Sequence, residues 1–286
     1  MDLPERYKGV IRPAPYEELE DYQKRNKVLT PHVCSVSYHH YQNRNFHTKE
    51  MSFVLEVDRI LQGIEGFYGR AVKKDLDRQY RLVADAIAAG KEWEHFLTND
   101  ELLNVLGDMY STTGKRVNKK YSNRYGVRTQ DPVIMDSQMK GFLFERVERL
   151  ASDTGAEPWT GTSKKQIKNI VTNSDDPAKE IKSINNTPRA GVITRSENGY
   201  AQAYSEEYTM RFAHDINPVK KYWIGRVDGK IRDSHLEARR TYNESNLINF
   251  DEYFRVNGVL MKHPRDYNAP ARETANCRCR LGYEII

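Results

Sequence analysis

The last quarter of the chain contains three segments that are dense in structural signals: YWIGRVDGKIRDSHLEARRTYN at residues 222–243, FDEYFRVNGVLMKHPRD at 250–266 and NCRC at 276–279. They crowd polar, aromatic and turn-forming residues into a short interval. A chain that only has to bury a core shows instead a repeating apolar pattern. We therefore interpret this region as the place where a specific local structure is built.

Alternation and turn dipeptides in these segments predict a small antiparallel sheet. Residues 222–227 alternate as a strand does. Asp228-Gly229 and Asn257-Gly258 are dipeptides that adopt the positive φ angles of tight hairpin turns. We expect a short helix after Ser234 and a last strand that begins at Cys277, with the thiols of this segment on one face.

Apolar residues at three- to four-residue spacing predict a helical domain over residues 48–155. Its first helix is expected to open at Thr48 and to stop at Gly90. The capping-box spacing of Thr98-Asn-Asp-Glu101 predicts the start of a second helix, and Asp131-Pro132 predicts the start of a third. The expected fold class is α+β, with a mainly α-helical N-terminal unit followed by a small antiparallel-sheet C-terminal unit.

The remaining boundaries follow from local composition. Residues 1–47 show no period and contain four prolines, which predicts an extended or partly disordered arm. A boundary near Gly155 to Gly161 makes residues 156–286 the second, α+β domain. Shorter helices are expected to start at Ser163-x-x-Gln166, Asp176-Pro177 and Thr187-Pro188.

Composition limits the functions that the chain can have. Its 286 residues are 38% hydrophobic and 30% charged, which allows a sizeable core and leaves polar surface for partners. A net charge of +5 permits nucleic-acid binding without requiring it. The N-terminal sequence has no secretory pattern and no apolar run is long enough for a bilayer, so we expect no membrane association. Three cysteines argue against a disulfide framework and favour the reducing cytoplasm, or a particle assembled there.

The order and spacing of several residues resemble a known family. The chain contains W-x4-D-x3-R-x2-H, then an F-x3-G hairpin, P-x-D and N-C-R-C, preceded by a helix start built on Arg-Ala and Arg-Ser-Glu. This ordered set resembles the phage Mu F-like minor head proteins, also called phage head morphogenesis proteins. Arg265 stands inside P-x-D where that family commonly has Gly. The matching residues are Arg189, Arg195, Glu197, Trp223, Asp228, Arg232, His235, Pro264, Asp266, Asn276, Cys277 and Cys279.

The resemblance implies a virion protein rather than an enzyme. A member of this family would be a minor head protein, associated with the portal protein and the inner capsid surface, and would act in head morphogenesis or genome delivery. It would be found in the virion head near the portal, and in the host cytoplasm during assembly. One alternative is an ADP-ribosyltransferase-like or nuclease-type enzyme packaged in the virion or acting beside it. The other is a DNA-binding protein of the head interior.

The enzyme alternative has a weak basis in the sequence. Arg195-Ser-Glu197 is similar to parts of ADP-ribosyltransferase sites, in which such residues surround a dinucleotide from separate strands. Here all three are predicted to lie in one helix, so they cannot surround a ligand in that way.

A basic segment provides the candidate nucleic-acid or partner face. No acidic residue occurs between Asp108 and Asp131. The basic residues of this segment are Lys115, Arg116, Lys119, Lys120, Arg124 and Arg128. A surface that tracks phosphates would have this composition, and so would an ordinary solvated helix face. A run of charge does not separate the two interpretations.

His235, Cys277 and Cys279 are the candidate ligands for a soft metal such as zinc. The candidates for a fourth ligand are His263, Asp228 and Asp266. The C-x-C spacing is tighter than that of ordinary zinc knuckles, which favours reduced thiols packed in the interior, with His235 bonded to a carboxylate. We therefore expect no cofactor, with zinc as the alternative.

Overall fold

The computed structural model describes residues 48–154, 158–225 and 231–286, of which residues 48–51, 153 and 154 are described as backbone only. The helices of this part are α1 (Thr48–Ala88), α2 (Asp100–Tyr125), α3 (Pro132–Thr154), α4 (Thr160–Asn173), α5 (Pro177–Lys182), α6 (Thr187–His214), α7 (Asp233–Thr241) and α8 (Ala271–Thr274). The strands are β1 (Val219–Ile224), β2 (Ile248–Asn249), β3 (Phe254–Val256), β4 (Val259–Met261) and β5 (Arg280–Ile285). A helical N-terminal region followed by small antiparallel sheets confirms the predicted α+β class. The predicted arm at 1–47 and the predicted turn at Asp228-Gly229 lie outside the described residues.

Several helix boundaries follow the local signals. The backbone N–H of Val133 donates to the side chain of Asp131 at 2.7 Å, so the residue before Pro132 caps α3. Asp176 caps α5 in the same way, accepting from the backbone N–H of Lys179 at 3.1 Å. Gly90, just beyond α1, has a φ of 65°, the left-handed conformation in which helices commonly end.

The two predicted capping boxes are wrong. Asn99, not Thr98, is the N-cap of α2, and it makes no side-chain cap bond. The carbonyl of Thr98 instead accepts a bond from the side chain of Gln79 in α1. Helix α4 begins three residues before Ser163, which is buried inside it, and follows Trp159 with a φ of 59°. Neither Thr98 nor Ser163 therefore caps its helix.

One hydrophobic cluster holds the long helices together. It combines residues of α1, α2, α3 and α6, among them Ile64, Leu106, Met139 and Ile193. Met139 packs so closely on Gly114 that a Cβ atom there would lie 2.2 Å from its Cγ atom. Helix α6 therefore belongs to the same core as the three helices that precede it.

The C-terminal strands form two antiparallel sheets. The first has the order β2-β1-β5, with Trp223 opposite Leu281. The second is the hairpin β3-β4, whose turn residues Asn257 and Gly258 have φ angles of 50° and 78°. These positive values confirm the predicted hairpin turn.

A second cluster joins both sheets to the helices. Its members include Phe53 of α1 and Tyr121 of α2 as well as Trp223, Phe254 and Leu281. The hydrophobic cores thus draw on residues from both sides of position 155, where the sequence places a domain boundary. Among the described residues, no helix combines the length and apolar composition needed to cross a bilayer.

Candidate functional site

Residues from two elements meet to form a buried cluster, the His–Cys cluster of His235, Cys277 and Cys279. His235 lies in the first turn of α7, and the two cysteines lie just before β5. The Nδ1 atom of His235 lies 3.4 Å from Sγ of Cys277 and 3.5 Å from Sγ of Cys279. The three side chains are buried, and their ligand atoms lie within 4.8 Å of one another. Such an arrangement could hold a metal ion.

The other ring nitrogen of His235 faces a buried carboxylate. Its Nε2 atom lies 3.3 Å from Oε2 of Glu273, which is an ion-pair distance without the alignment of a hydrogen bond. Ser234 donates to Oε2 of Glu273 at 2.9 Å and Asn257 donates to Oε1 at 3.1 Å. Burial acts to raise the pKa of Glu273, but these hydrogen bonds and the charges of His235 and Arg232 lower it overall. The carboxylate is therefore anionic at neutral pH. The sequence did not single out Glu273, since nothing in Arg-Glu-Thr distinguishes it from a solvated residue.

The Cys277 thiol is shifted towards its thiolate form. A hydrogen bond from Cys279 is the main cause of a pKa well below the usual range. Burial opposes this shift, while His235 and the charge of Arg265 support it. A thiolate is the form of cysteine that binds metals and acts as a nucleophile.

A cavity of about 20 Å³ adjoins the cluster. Besides the three cluster residues, it is lined by Ile231, Arg232, Asn276 and Arg278. This volume accommodates about one water molecule. The cluster therefore has room for one small additional ligand.

Other residues of the family-like pattern shape the cluster. Trp223 of β1 packs edge-on against the His235 ring, with centroids 5.4 Å apart, and also against Phe254. Arg232 donates to the carbonyl of Ala275 and so ties the start of α7 to the segment that carries the cysteines. Asn276 has a φ of 54°, which turns the chain immediately before Cys277.

Arg265 connects this region to α6. Its guanidinium group lies against Gly199, where a Cβ atom would come within 2.2 Å of one of its terminal nitrogens. Its Nε atom donates to the carbonyl of Cys277. Burial, and then the charge of Arg280, lowers the pKa of Arg265 to about 10. Where the resemblance leads one to expect Gly, this chain carries a buried cation.

Pro264 and Asp266 build a turn at a distance from the cluster. Asp266 accepts the backbone N–H groups of Lys262 at 2.8 Å and Asn268 at 2.9 Å. The Nε2 atom of His263 lies 3.2 Å from Oε2 of Glu207, and its Nδ1 atom lies 2.9 Å from the carbonyl oxygen of Pro264. His263 and Asp266 are thus occupied elsewhere, and Asp228, the other candidate fourth ligand, lies outside the described residues.

Glu197 is enclosed in the helical core. Both of its carboxylate oxygens accept from Arg146, and Tyr110 donates to Oε2 at 2.7 Å. Burial acts to raise its pKa, but the charge and hydrogen bonds of Arg146 lower it. Arg195 is half exposed and lies 4.0 Å from Glu65, while Arg189 donates to a backbone carbonyl. The ADP-ribosyltransferase interpretation requires Arg195 and Glu197 to face a common ligand, and in this structure they do not.

The six basic residues of α2 and the segment after it do not form one uniform face. Lys115 lies 3.2 Å from Asp136, and Lys120 pairs with Glu56. The guanidinium group of Arg124 lies 5.6 Å from the ring centre of Phe53. The half-buried members are Lys115, Arg116 and Lys120, and the exposed members are Lys119, Arg124 and Arg128.

Comparison with known proteins gives no match: no family model, no curated protein and no solved structure is significantly similar to this chain. The resemblance to Mu F-like proteins therefore stays a prediction from the sequence. What the site can do has to be inferred from its own residues and geometry.

Proposed function

We propose that the chain is a phage minor head protein that associates with the portal protein and the inner capsid surface. In this role it acts in head morphogenesis, in delivery of the genome, or in both. The observation that carries the proposal is the ordered set of C-terminal residues that resembles the Mu F-like pattern. In the structure, the members on α7, β1 and the segment before β5 lie together in one compact substructure.

The way in which these residues are used supports a structural role. Trp223, His235, Cys277 and Cys279 are buried and contact one another or their immediate neighbours. Asp266 fixes a turn, and Glu197 is neutralised by Arg146 inside the helical core. A pattern of residues that specifies local architecture is what an assembly protein needs, whereas an enzyme has to present reactive groups to a ligand.

Particle composition tests this proposal. Procapsids and virions of the phage that encodes the chain should be purified by sedimentation and analysed by mass spectrometry. We expect the protein in both particles, and we expect it to co-sediment with purified portal protein. An abundant soluble phage protein should serve as the control for trapped lysate. Detection in the soluble fraction only, with none in the particles, would contradict the proposal.

A second candidate function is DNA binding inside the head. Lys119 and Arg128 are exposed within a segment that contains no acidic residue. Exposed basic side chains of this kind attract the phosphate backbone without regard to base sequence. This function is compatible with a position in the head and has its own test, described in the Discussion.

A further inference from the structure

We propose that His235, Cys277 and Cys279 bind one Zn²⁺ ion through Nδ1 and the two Sγ atoms, with a water molecule or another small ligand in the fourth position. The proposal goes beyond the proposed function, because it holds whether or not the chain is a head protein. It also differs from the interpretation of the sequence, which favoured packed thiols over zinc binding.

The distances within the His–Cys cluster fit a tetrahedral zinc site. Zinc binds cysteine sulfur at about 2.3 Å and histidine nitrogen at about 2.0–2.1 Å, so a tetrahedron places the nitrogen about 3.6 Å from each sulfur. The observed separations from Nδ1 are 3.4 Å to Cys277 and 3.5 Å to Cys279. Both sulfurs are therefore at the separation from the ring nitrogen that a shared ion requires.

The hydrogen bond between the two cysteines does not explain why both sulfurs lie beside one ring nitrogen. A neutral imidazole nitrogen has either one hydrogen to donate or one lone pair to accept with. Yet two sulfur atoms approach Nδ1 of His235 at nearly equal distances. A single ion in front of Nδ1 satisfies both thiolates and the nitrogen lone pair at once.

Glu273 lies where a carboxylate that supports a metal-binding histidine is usually found. Histidines that bind metals usually direct their second ring nitrogen at a carboxylate, which fixes the tautomer and raises the basicity of the ligand. The Nε2 atom of His235 lies 3.3 Å from Glu273, which is itself held by Ser234 and Asn257. A nearby anionic carboxylate favours a hydrogen on Nε2, which leaves the lone pair of Nδ1 to bind the ion.

The charge of the ligands and the space beside them also suit a zinc ion. A buried charge is costly unless it is compensated. Two thiolates neutralise Zn²⁺, and the ligand set of two sulfurs and an imidazole suits this ion. The adjoining cavity of about 20 Å³ provides the position for one small fourth ligand.

The tight C-x-C spacing, which the sequence interpretation counted against zinc, has a structural explanation. The cysteines do not form a knuckle by themselves, because the third ligand comes from α7, more than 40 positions earlier in the chain. The segment just before β5 places the sulfurs of Cys277 and Cys279 beside Nδ1 of His235. The ion would tie α7 to the start of β5.

The test uses the full chain, purified in reductant without chelator. We expect about one zinc per chain by elemental analysis, and a lower melting temperature after treatment with a strong chelator. Co²⁺ added to the metal-free chain should give the near-ultraviolet charge-transfer band of a thiolate-bound ion and the visible bands of a tetrahedral one. These measurements require no variant to fold.

Variants then assign the ligands. Cys277→Ser and Cys279→Ser should each lose zinc and the Co²⁺ thiolate band, whereas Cys34→Ser, which removes the third thiol of the chain, should keep both. Glu273→Gln should retain the site but weaken zinc binding about 10- to 100-fold in a competition with a metal indicator.

Two outcomes would overturn the proposal. One is a folded, reduced wild-type chain that lacks zinc after growth in zinc-supplemented medium and gives no thiolate band with Co²⁺. The other is a zinc content and a Co²⁺ spectrum that remain unchanged in both Cys277→Ser and Cys279→Ser.

Discussion

Arg146 of α3 and Glu197 of α6 form a buried ion pair with two parallel bonds, Nε to Oε2 at 2.7 Å and a terminal nitrogen to Oε1 at 2.9 Å. The guanidinium group also lies over the ring of Tyr200, 3.4 Å from its centre. The pair joins residues on opposite sides of the domain boundary that the sequence predicts near residue 155. The helical region and α6 are therefore connected by a specific polar contact as well as by hydrophobic packing.

Breaking this pair should destabilise the whole chain. Glu197→Gln keeps the shape of the side chain but leaves the Arg146 cation buried without a counter-charge. Removing one partner of a buried pair costs about 3–5 kcal/mol in the free energy of unfolding. Urea unfolding followed by circular dichroism measures the change.

The exposed pair of Asp85 and Lys182, 2.7 Å apart, provides the matched control. Asp85→Asn removes one charge of the same sign as Glu197→Gln does, but at the surface. We expect a change of about 0–1 kcal/mol. An equal loss of unfolding free energy in the two variants would show that burial does not increase the contribution of the Arg146–Glu197 pair to stability.

Two glycines of α6 should respond in opposite directions to the same substitution. A Cβ atom at Gly191 meets nothing within 4 Å, so Gly191→Ala should stabilise the helix by about 1 kcal/mol through backbone entropy. A Cβ atom at Gly199 would lie 2.2 Å from Arg265, so Gly199→Ala should instead destabilise the chain by about 1–3 kcal/mol. Thermal unfolding of the two variants side by side checks the contrast. A stabilised Gly199→Ala protein would mean that Arg265 moves aside without cost.

Glu206 should make stability depend on pH near neutrality. This buried carboxyl of α6 is bonded by Gln202, Tyr121 and Tyr283. Burial raises its pKa to about 7, and the hydrogen bonds together with the charge of Arg280 offset this only in part. The folded state therefore keeps a proton that the unfolded state loses near pH 4.5.

Because the folded state binds more protons between pH 4.5 and 7, the contribution of Glu206 to stability falls as the pH rises through that window. The loss is on the order of 3 kcal/mol and is complete above pH 7. Glu206→Gln should remove this dependence of stability on pH. The stability of the variant relative to wild type should therefore be higher at pH 8 than at pH 5. Urea midpoints measured at both pH values check this. Parallel changes in variant and wild type would refute the assignment to Glu206.

The DNA-binding candidate predicts a specific salt effect. Replacing both Lys119 and Arg128 with Glu should weaken binding to double-stranded DNA. It should also reduce the slope of log K against log salt concentration by roughly 0.9 for each lost phosphate contact. Titrations at several salt concentrations measure the slope. The control replaces Lys91 and Lys165, which are also exposed, with Glu. This control changes the net charge by the same amount as the first double variant. Similar effects of both double variants would show that binding follows net charge rather than this segment.

Features that depend on near neighbours could be predicted from the sequence. Asp131 and Asp176 mark helix starts because a carboxylate before proline reaches the free N–H groups of the first turn. Asn257-Gly258 specifies a hairpin because these residue types tolerate positive φ. His235 and the two cysteines could also be named as a candidate metal site, because these residue types are common metal ligands.

Contacts between distant polar groups could not be predicted from the sequence, because they depend on how the elements pack. Arg146 contacts Glu197, Arg265 contacts the carbonyl of Cys277, and Glu273 contacts His235, across separations that no local pattern spans. Thr98 does not cap α2 despite its capping-box spacing, because Asn99 takes the N-cap position. A buried polar group must be satisfied by whichever partner the packing of the elements brings within reach, and the packing is set by the whole chain. The sequence therefore identifies His235, Cys277 and Cys279 as candidate ligands, whereas the fold brings them within reach of one another and places Glu273 behind His235.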